Sequence, residues 1–402
     1  MTGPNEPEPE LGEIEWLDGD PDDPDGPNGP DGPGHQPSRI PRVAWYALVV
    51  VVLAAVVIAV TVSQSHPKHR AVATPTPSST PPTPSITIHL DPPTPTPSVT
   101  VRNLGHPLLD VSRGVDLFAR DGAIMLRLEL ATGRITRTSG VELNSTAPAS
   151  MVATRHGLLL MSYDPGSGLL IPDGKRPQSL PDRLAQGGGS VAPGPDLDHV
   201  WLMTNVGNAQ AVLVGLDGHP TGPTLPASGD PDDTGYLVVP LTGGVYLARP
   251  GSLRRITTGA LIAVGPTRWL TDECDDQHRC TLNVIDRATG EHHVLGPTGD
   301  HPYDRGQISP DGSTAAVARY SDSSDGSTTL HLVDLATGAD RTVVRLGQNP
   351  DNGTPALLWT PDSRWLITIG QGGRIVAIDR AGHVRVLTGA GTSVSQLALR
   401  VQ

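Results

Sequence analysis

The chain has 402 residues and a formal net charge of −13, with 41 prolines, 46 glycines, two cysteines and a single phenylalanine. The acidity is local: residues 1–42 hold eleven carboxylates against Arg39 and Arg42, whereas residues 101–402 are close to neutral. No basic stripe is left to neutralise phosphates along a backbone, so nucleic-acid binding has no electrostatic support.

Taken in chain order, residues 1–42 are Pro, Gly, Asp and Glu with few apolar groups. They cannot offset the entropy of ordering and are expected to form a disordered tail. Within the tail, Leu11, Ile14, Trp16 and Leu17 would gather on one side of a short helix between carboxylates. That pattern reads either as a linear motif for a cytoplasmic protein partner or as a few incidental apolar residues in a solvated segment.

Residues 43–62 carry no charge, and twelve of the twenty are Val, Leu or Ile. At about 1.5 Å rise per residue they span the ~30 Å hydrocarbon core, so one transmembrane helix is expected, with Trp45 and Tyr46 in the headgroup region of the lipid bilayer. Residues 63–100 are dominated by Pro, Thr and Ser and read as a semi-rigid stalk. The flanking charges tie, Arg39 and Arg42 against Lys68 and Arg70, so they do not orient the span. Stalk composition, the long segment before the apolar run and the cysteine spacing favour a cytoplasmic N-terminus and an extracytoplasmic C-terminal domain.

From residue 101 onward, apolar runs of four to seven residues alternate with Gly, Asp-Gly and Thr-Gly turns. One phrase recurs, as Leu282–Gly290, Leu332–Gly338 and Leu128–Gly133, with a shorter copy at Val376–Gly382. It reads as a hairpin in which Gly supplies the positive φ of a tight turn. Adding weaker turns, the glycines fall at 133, 174, 218, 251, 290, 338 and 382, a period of roughly 40 residues. The expected fold is all-β: a seven-bladed β-propeller over residues 101–402, closed by Val394–Val401 pairing with the opening blade.

The segments Ile308-Ser-Pro-Asp-Gly-Ser-Thr-Ala-Ala-Val317 and Leu358-Trp-Thr-Pro-Asp-Ser-Arg-Trp-Leu-Ile367, each leading to an Asp-x-Ala turn, resemble the TolB-type, WD-like propeller repeat. In that family the Ser-Pro-Asp-Gly turn precedes an inner strand and the Thr-Gly turn joins the two outer strands. The resemblance covers residues 306–389 well and 101–300 thinly, and it implies a membrane-anchored form like those of actinobacteria. It specifies a blade and no ligand. Quinoprotein propellers share the Asp-x-x-Thr-Gly turn but place a Trp soon after it. Here Arg-Ile-Thr, Glu-His-His and Ala-Asp-Arg follow Gly133, Gly290 and Gly338, so no quinone cofactor is expected.

The loop Thr271–Cys280 gathers the most chemistry. A Cys274–Cys280 disulfide pinning an exposed loop is the simpler reading, and Asp272, Asp275 and Asp276 are weak candidates for an oxygen-rich Ca²⁺ site. Asp322–Gly326 and Asp230–Asp233 have turn-forming compositions and read as loops. Gly168–Arg176 resembles a phosphate-binding loop only superficially, with the wrong spacing and Arg176 where a hydroxyl must hold Mg²⁺. There is no Gly-x-Ser-x-Gly elbow and no His-Glu-x-x-His. The sequence therefore supports a non-enzymatic binding, sensing or scaffold module without a cofactor, recognising a protein or an envelope glycan. Its alternative is a propeller enzyme of lactonase or glycan-lyase type, with a metal at the channel mouth.

Overall fold

The computed structural model describes residues 97–402 apart from 144–148, 165, 182, 185–188, 205–209, 226–228, 233, 276, 278, 298–302, 321–327, 347–355 and 388–392. The tail, the apolar run 43–62, nearly all of the stalk and the tail motif at Leu11, Ile14, Trp16 and Leu17 lie outside the described residues. Among the described residues no helix is long and apolar enough to cross a membrane.

The folded part is built from antiparallel sheets of four strands. The first contains β1 (Val99–Asn103), β2 (Val115–Asp121), β3 (Ile124–Glu129) and β4 (Arg134–Ser139). The second contains β5 (Ala149–Thr154), β6 (Gly157–Ser162), β7 (Gly168–Pro172) and β8 (Gln178–Ser179). The third has β9 (Ser190–Pro193), β10 (His199–Thr204), β11 (Gln210–Gly215) and β12 (Pro220–Leu225). The fourth has β13 (Asp230–Pro231), β14 (Leu237–Leu241), β15 (Gly244–Arg249) and β16 (Ser252–Thr257).

An eight-stranded sheet comes next. One half is β17 (Ala260–Val264), β18 (Arg268–Cys274), β19 (Cys280–Asp286) and β20 (His292–Pro297). The other is β21 (Tyr303–Ile308), β22 (Thr314–Tyr320), β23 (Thr328–Asp334) and β24 (Asp340–Arg345). Two parallel pairs, Ala263 with Gly306 and Val264 with Gln307, join the halves through β17 and β21. The last sheet has β25 (Leu357–Trp359), β26 (Trp365–Gly370), β27 (Arg374–Asp379) and β28 (Val384–Val386). Finally β29 (Gln396–Val401) returns to pair antiparallel with β2, so the first sheet runs β1-β4-β3-β2-β29. The C-terminal closure expected from the sequence is present.

First strands pack on first strands: β29 on β5, β5 on β9, β9 on β13, β17 on β21 and β21 on β25. The sheets thus stand radially, and the fold is an all-β propeller. Strand β1 adds to the outer edge of β4 and places Val99 and Thr100, the last two residues of the expected stalk, in a strand.

Packing follows from this radial arrangement. Each sheet is covered on both faces, so middle strands such as β18, β19, β23 and β26 show runs of four or more buried residues instead of alternation. All six residues of β6 are buried. In β22, Ala315 and Val317 join a cluster with Leu270 and Val284 on one side, while Ala316 and Ala318 join one with Trp359 and Leu366 on the other. Among the described residues the hydrophobic clusters all lie between neighbouring four-stranded layers, and one, with Leu117, Leu128, Ile367 and Ile375, joins the last layer to the first.

Candidate functional site

The repeated turns are explained by their side chains. In the Asp286-Arg-Ala-Thr-Gly290 turn, Asp286 Oδ1 accepts the N–H of Ala288 and of Thr289 and the Thr289 hydroxyl, and Gly290 adopts φ 75°. Asp334 does the same for Ala336 and Thr337, with Gly338 at φ 73°. The Thr289 N–H is the main cause that holds the Asp286 carboxyl below its ordinary range, and the Thr337 hydroxyl plays that part for Asp334. All seven turn glycines picked from the sequence have positive φ, and each lies between the third and fourth strand of its layer. Ser309-Pro-Asp-Gly312 connects β21 to β22, the first strand of a layer to its second, with Gly312 at φ 72°.

The residue after the turn aspartate reaches the preceding layer. Arg287 donates to Asp232 Oδ2 at 2.5 Å, to the Gly265 carbonyl at 2.9 Å and to Thr234 Oγ1 at 2.8 Å. Arg380 likewise pairs with Asp311 and donates to the Ser363 carbonyl. Where this position is Leu, at Leu335 and at Leu130 after Glu129, the side chain is buried in the interlayer cluster instead. These arginines therefore staple neighbouring layers. The expectation that 230–233 is a plain loop is corrected: Asp230 and Pro231 form β13, and Asp232 is fully buried. Burial pushes the Asp232 carboxyl up, but the Thr234 hydroxyl and N–H and the Arg287 guanidinium outweigh it and leave it below the ordinary range.

The ring closes on a larger ionic set. Arg400 of β29 is fully buried and donates to Asp116 Oδ2 at 2.5 Å, to Asp173 at 2.9 Å and to the Thr154 carbonyl, with its guanidinium over the Phe118 ring. Arg127 adds a second cation, 3.0 Å from Asp116 and 3.2 Å from Asp173.

A cavity lies where the first strands of several layers approach one another. It has a volume of about 780 Å³ and draws its wall from β9, β13, β14, β15, β17, β21 and β25. Val238, Leu241, Leu261, Ile262 and Leu357 make that wall largely apolar. Asp230 is the one carboxylate on the described wall, and it pairs with Arg305 at 3.2 Å, both about half exposed. This arrangement can desolvate an apolar group and orient it by one ion pair. It does not converge an acid and a base on one point.

An acid–base-like set does exist elsewhere. Tyr303 donates to Asp340 Oδ2 at 2.6 Å, and His331 Nδ1 lies 2.8 Å from Asp340 Oδ1. Burial and then the Asp340 contact push the Tyr303 phenol well up. Burial raises Asp340, but the His331 and Tyr303 hydrogen bonds outweigh it and hold the carboxyl low. The three side chains tie β21, β23 and β24 of one layer together, and none of them lines the cavity.

Cys274 and Cys280 face each other across the β18–β19 ladder and are disulfide-bonded. Of the candidate cation ligands, Asp272 is buried in β18, while Asp275 receives the N–H of Gln277 and of Arg279 and pairs with the Arg279 side chain at 2.6 Å. Asp276 lies outside the described residues. Asp272 groups with the two cysteine sulfurs as ligand-type atoms, but those sulfurs bond each other, so the residues present there do not make a thiolate site.

No protein-family model matches the chain, and no curated protein matches it in sequence. Among solved structures it is similar to a TolB protein from Agrobacterium tumefaciens (14% identity, 49% of this chain, 79% of that one, TM-score 0.36). It is also similar to a periplasmic gluconolactonase from Pseudomonas aeruginosa (14%, 71% and 99%, TM-score 0.40). A third is an oligogalacturonate lyase from Vibrio parahaemolyticus (11%, 67% and 93%, TM-score 0.40). Likenesses this distant say nothing about what the present chain binds or does. The function has to be argued from its own residues.

Sequence reading missed Asp230, Asp232, Arg287, Arg305 and Arg400. Of these only Arg287 carried a signal, the Asp-Arg-Ala register that its turn shares with the one at Arg380. The others are paired by the packing of separate layers, between residues 55 to 284 positions apart, and only Arg400 by closure of the ring.

Proposed function

We propose that the chain is a single-pass membrane protein that presents a seven-bladed propeller outside the cytoplasm as a binding, sensing or scaffold module. The count of seven treats the eight-stranded sheet as two blades joined by the short parallel pairing of β17 with β21. Residues 43–62 would supply the anchor and residues 63–98 the stalk.

The observation that carries the reading is the cavity wall. Apolar side chains with a single half-exposed ion pair suit a protein segment that buries apolar groups; a polyhydroxylated glycan would leave its hydroxyls without partners there. A hydrolase or lyase would need further carboxylates or histidines on that wall, and the described wall offers Asp230 alone.

The test is a photoreactive residue placed at Leu241, which is 40% exposed at the cavity edge, in intact cells. A discrete protein adduct is expected, and it should vanish when Ala260→Trp fills the opening. If Leu241 and the other wall positions trap nothing while the folded protein is abundant, the binding reading fails. Protease added to cells carrying different tags on each end should remove the C-terminal tag and spare the N-terminal one. The reverse pattern would overturn the proposed orientation.

A further inference from the structure

A second surface lies away from the cavity, on the face of β15 and β16 turned toward β18 and β19. Register puts Leu247 opposite Arg254 and Arg249 opposite Ser252, so Arg249 and Arg254 share that face, while Arg255, opposite Tyr246, lies on the other. The Arg254 guanidinium sits 5.4 Å from the centroid of the buried Trp269 ring, and Arg287 sits 4.6 Å from the same centroid. Arg249 lies 5.7 Å from the ring of Tyr236, which packs into the same cluster.

The three cations are not equally compensated. Arg287 has Asp232. Arg249 and Arg254 are exposed, and among the described residues neither has a carboxylate partner. The sequence reinforces the imbalance: residues 234–271 contain four arginines and no Asp or Glu. Burial and then the like charges of Arg249 and Arg287 work against the charged form of Arg254. Stacking on an aromatic ring fixes a guanidinium in place and leaves its edge N–H groups free to donate.

We infer that the seam formed by Tyr236, Arg249, Arg254, Trp269 and Arg287 binds a phosphate group, with Arg249 and Arg254 donating to its oxygens. Two uncompensated, ring-held guanidiniums match one dianionic group carrying several acceptors; a lone carboxylate satisfies only one fork. Arg287, held by Asp232, adds positive potential behind them. The phosphate belongs either to a soluble ligand or to a lipid headgroup, and the two sources are separable by experiment.

The full chain in zwitterionic nanodiscs would be titrated calorimetrically with inorganic pyrophosphate. Saturable binding is expected, weakened roughly tenfold or more by the pair Arg249→Ala and Arg254→Ala, partly kept by Arg254→Lys, and little changed by Arg255→Ala on the opposite face. Repeating the titration in phosphatidylglycerol discs separates the sources: weaker apparent binding means the headgroups compete for the seam, and equal binding means a soluble ligand. Absence of saturable binding into the millimolar range overturns the proposal. So does an Arg255→Ala loss as large as that of the Arg249/Arg254 pair. Because the altered side chains are exposed, thermal unfolding of each variant serves as the folding control.

Discussion

Ser363 is the one non-glycine among the described residues with positive φ, at 57°. It occupies the position of Gly312 in the related turn, and its Oγ accepts the N–H of Asp311 from the neighbouring layer at 3.0 Å. Left-handed backbone costs a residue with a side chain about 1–2 kcal/mol, and one net hydrogen bond offsets about 1 kcal/mol of that. Ser363→Ala, which keeps the strain and orphans the N–H, should lower stability by about 1–2 kcal/mol in urea denaturation. Ser363→Gly, which relieves the strain, should fall within about 1 kcal/mol of the parent. A Gly variant as destabilised as the Ala one would rule out that balance. Arg400 offers a harsher case. Asp116→Ala leaves a buried guanidinium with Asp173 as its one carboxylate and should lose about 3 kcal/mol, whereas Arg400→Met keeps the volume and leaves Asp116 paired with Arg127, so its loss should be smaller. Equal losses would mean that packing, not charge, sets the effect. Neither residue was recognisable in the sequence. Ser363 looks like an ordinary Thr-Pro-Asp-Ser turn, and Arg400 looks like a polar residue in a terminal strand, because its partner lies 284 positions away.

At the level of the strand and turn, the sequence was far more readable. The Asp-x-Ala-Thr-Gly phrase is a local object: one carboxylate receives two or three donors within four residues, and a glycine completes the turn. Local chemistry of that kind survives without tertiary context, which is why the outer hairpins could be located before any fold was known. Strand β13 shows the opposite. It has two residues and no periodicity, and its place depends on Leu237 and Val238 pairing with it. The Cys274–Cys280 link is also local and closes a very short loop. The chain-entropy estimate for so short a loop is about 2 kcal/mol. The double substitution Cys274→Ser and Cys280→Ser should therefore lower the thermal midpoint modestly without loss of cooperativity. A collapse of the native transition would show that the hairpin carries more of the fold than its position at the layer's end implies.

At the scale of the molecule, seven aspartates among the described residues (Asp196, Asp198, Asp232, Asp286, Asp334, Asp340 and Asp379) are held below the ordinary carboxyl range in the folded chain. The unfolded chain therefore takes up these protons first as pH falls. The stability they contribute is complete above the unfolded carboxyl value, about 4, and disappears as pH falls through the lower folded values. The urea midpoint should be flat between about pH 5 and 7 and drop steeply below about pH 4. Asp232→Asn should make that drop shallower while lowering stability at neutral pH. An acid limb unchanged by Asp232→Asn would remove this residue from the account.

Closure also has a consequence in time. The first layer begins near residue 99 and is finished only by residues 396–401, so all the intervening chain must be synthesised before its edge is covered. Until then β2 presents an unpaired edge lined by Val115, Leu117 and Ala119, the kind of surface that recruits a foreign strand. A growing chain must carry this open edge through nearly three hundred residues of synthesis. Anything that shields it in the interval governs how much intact protein the cell obtains.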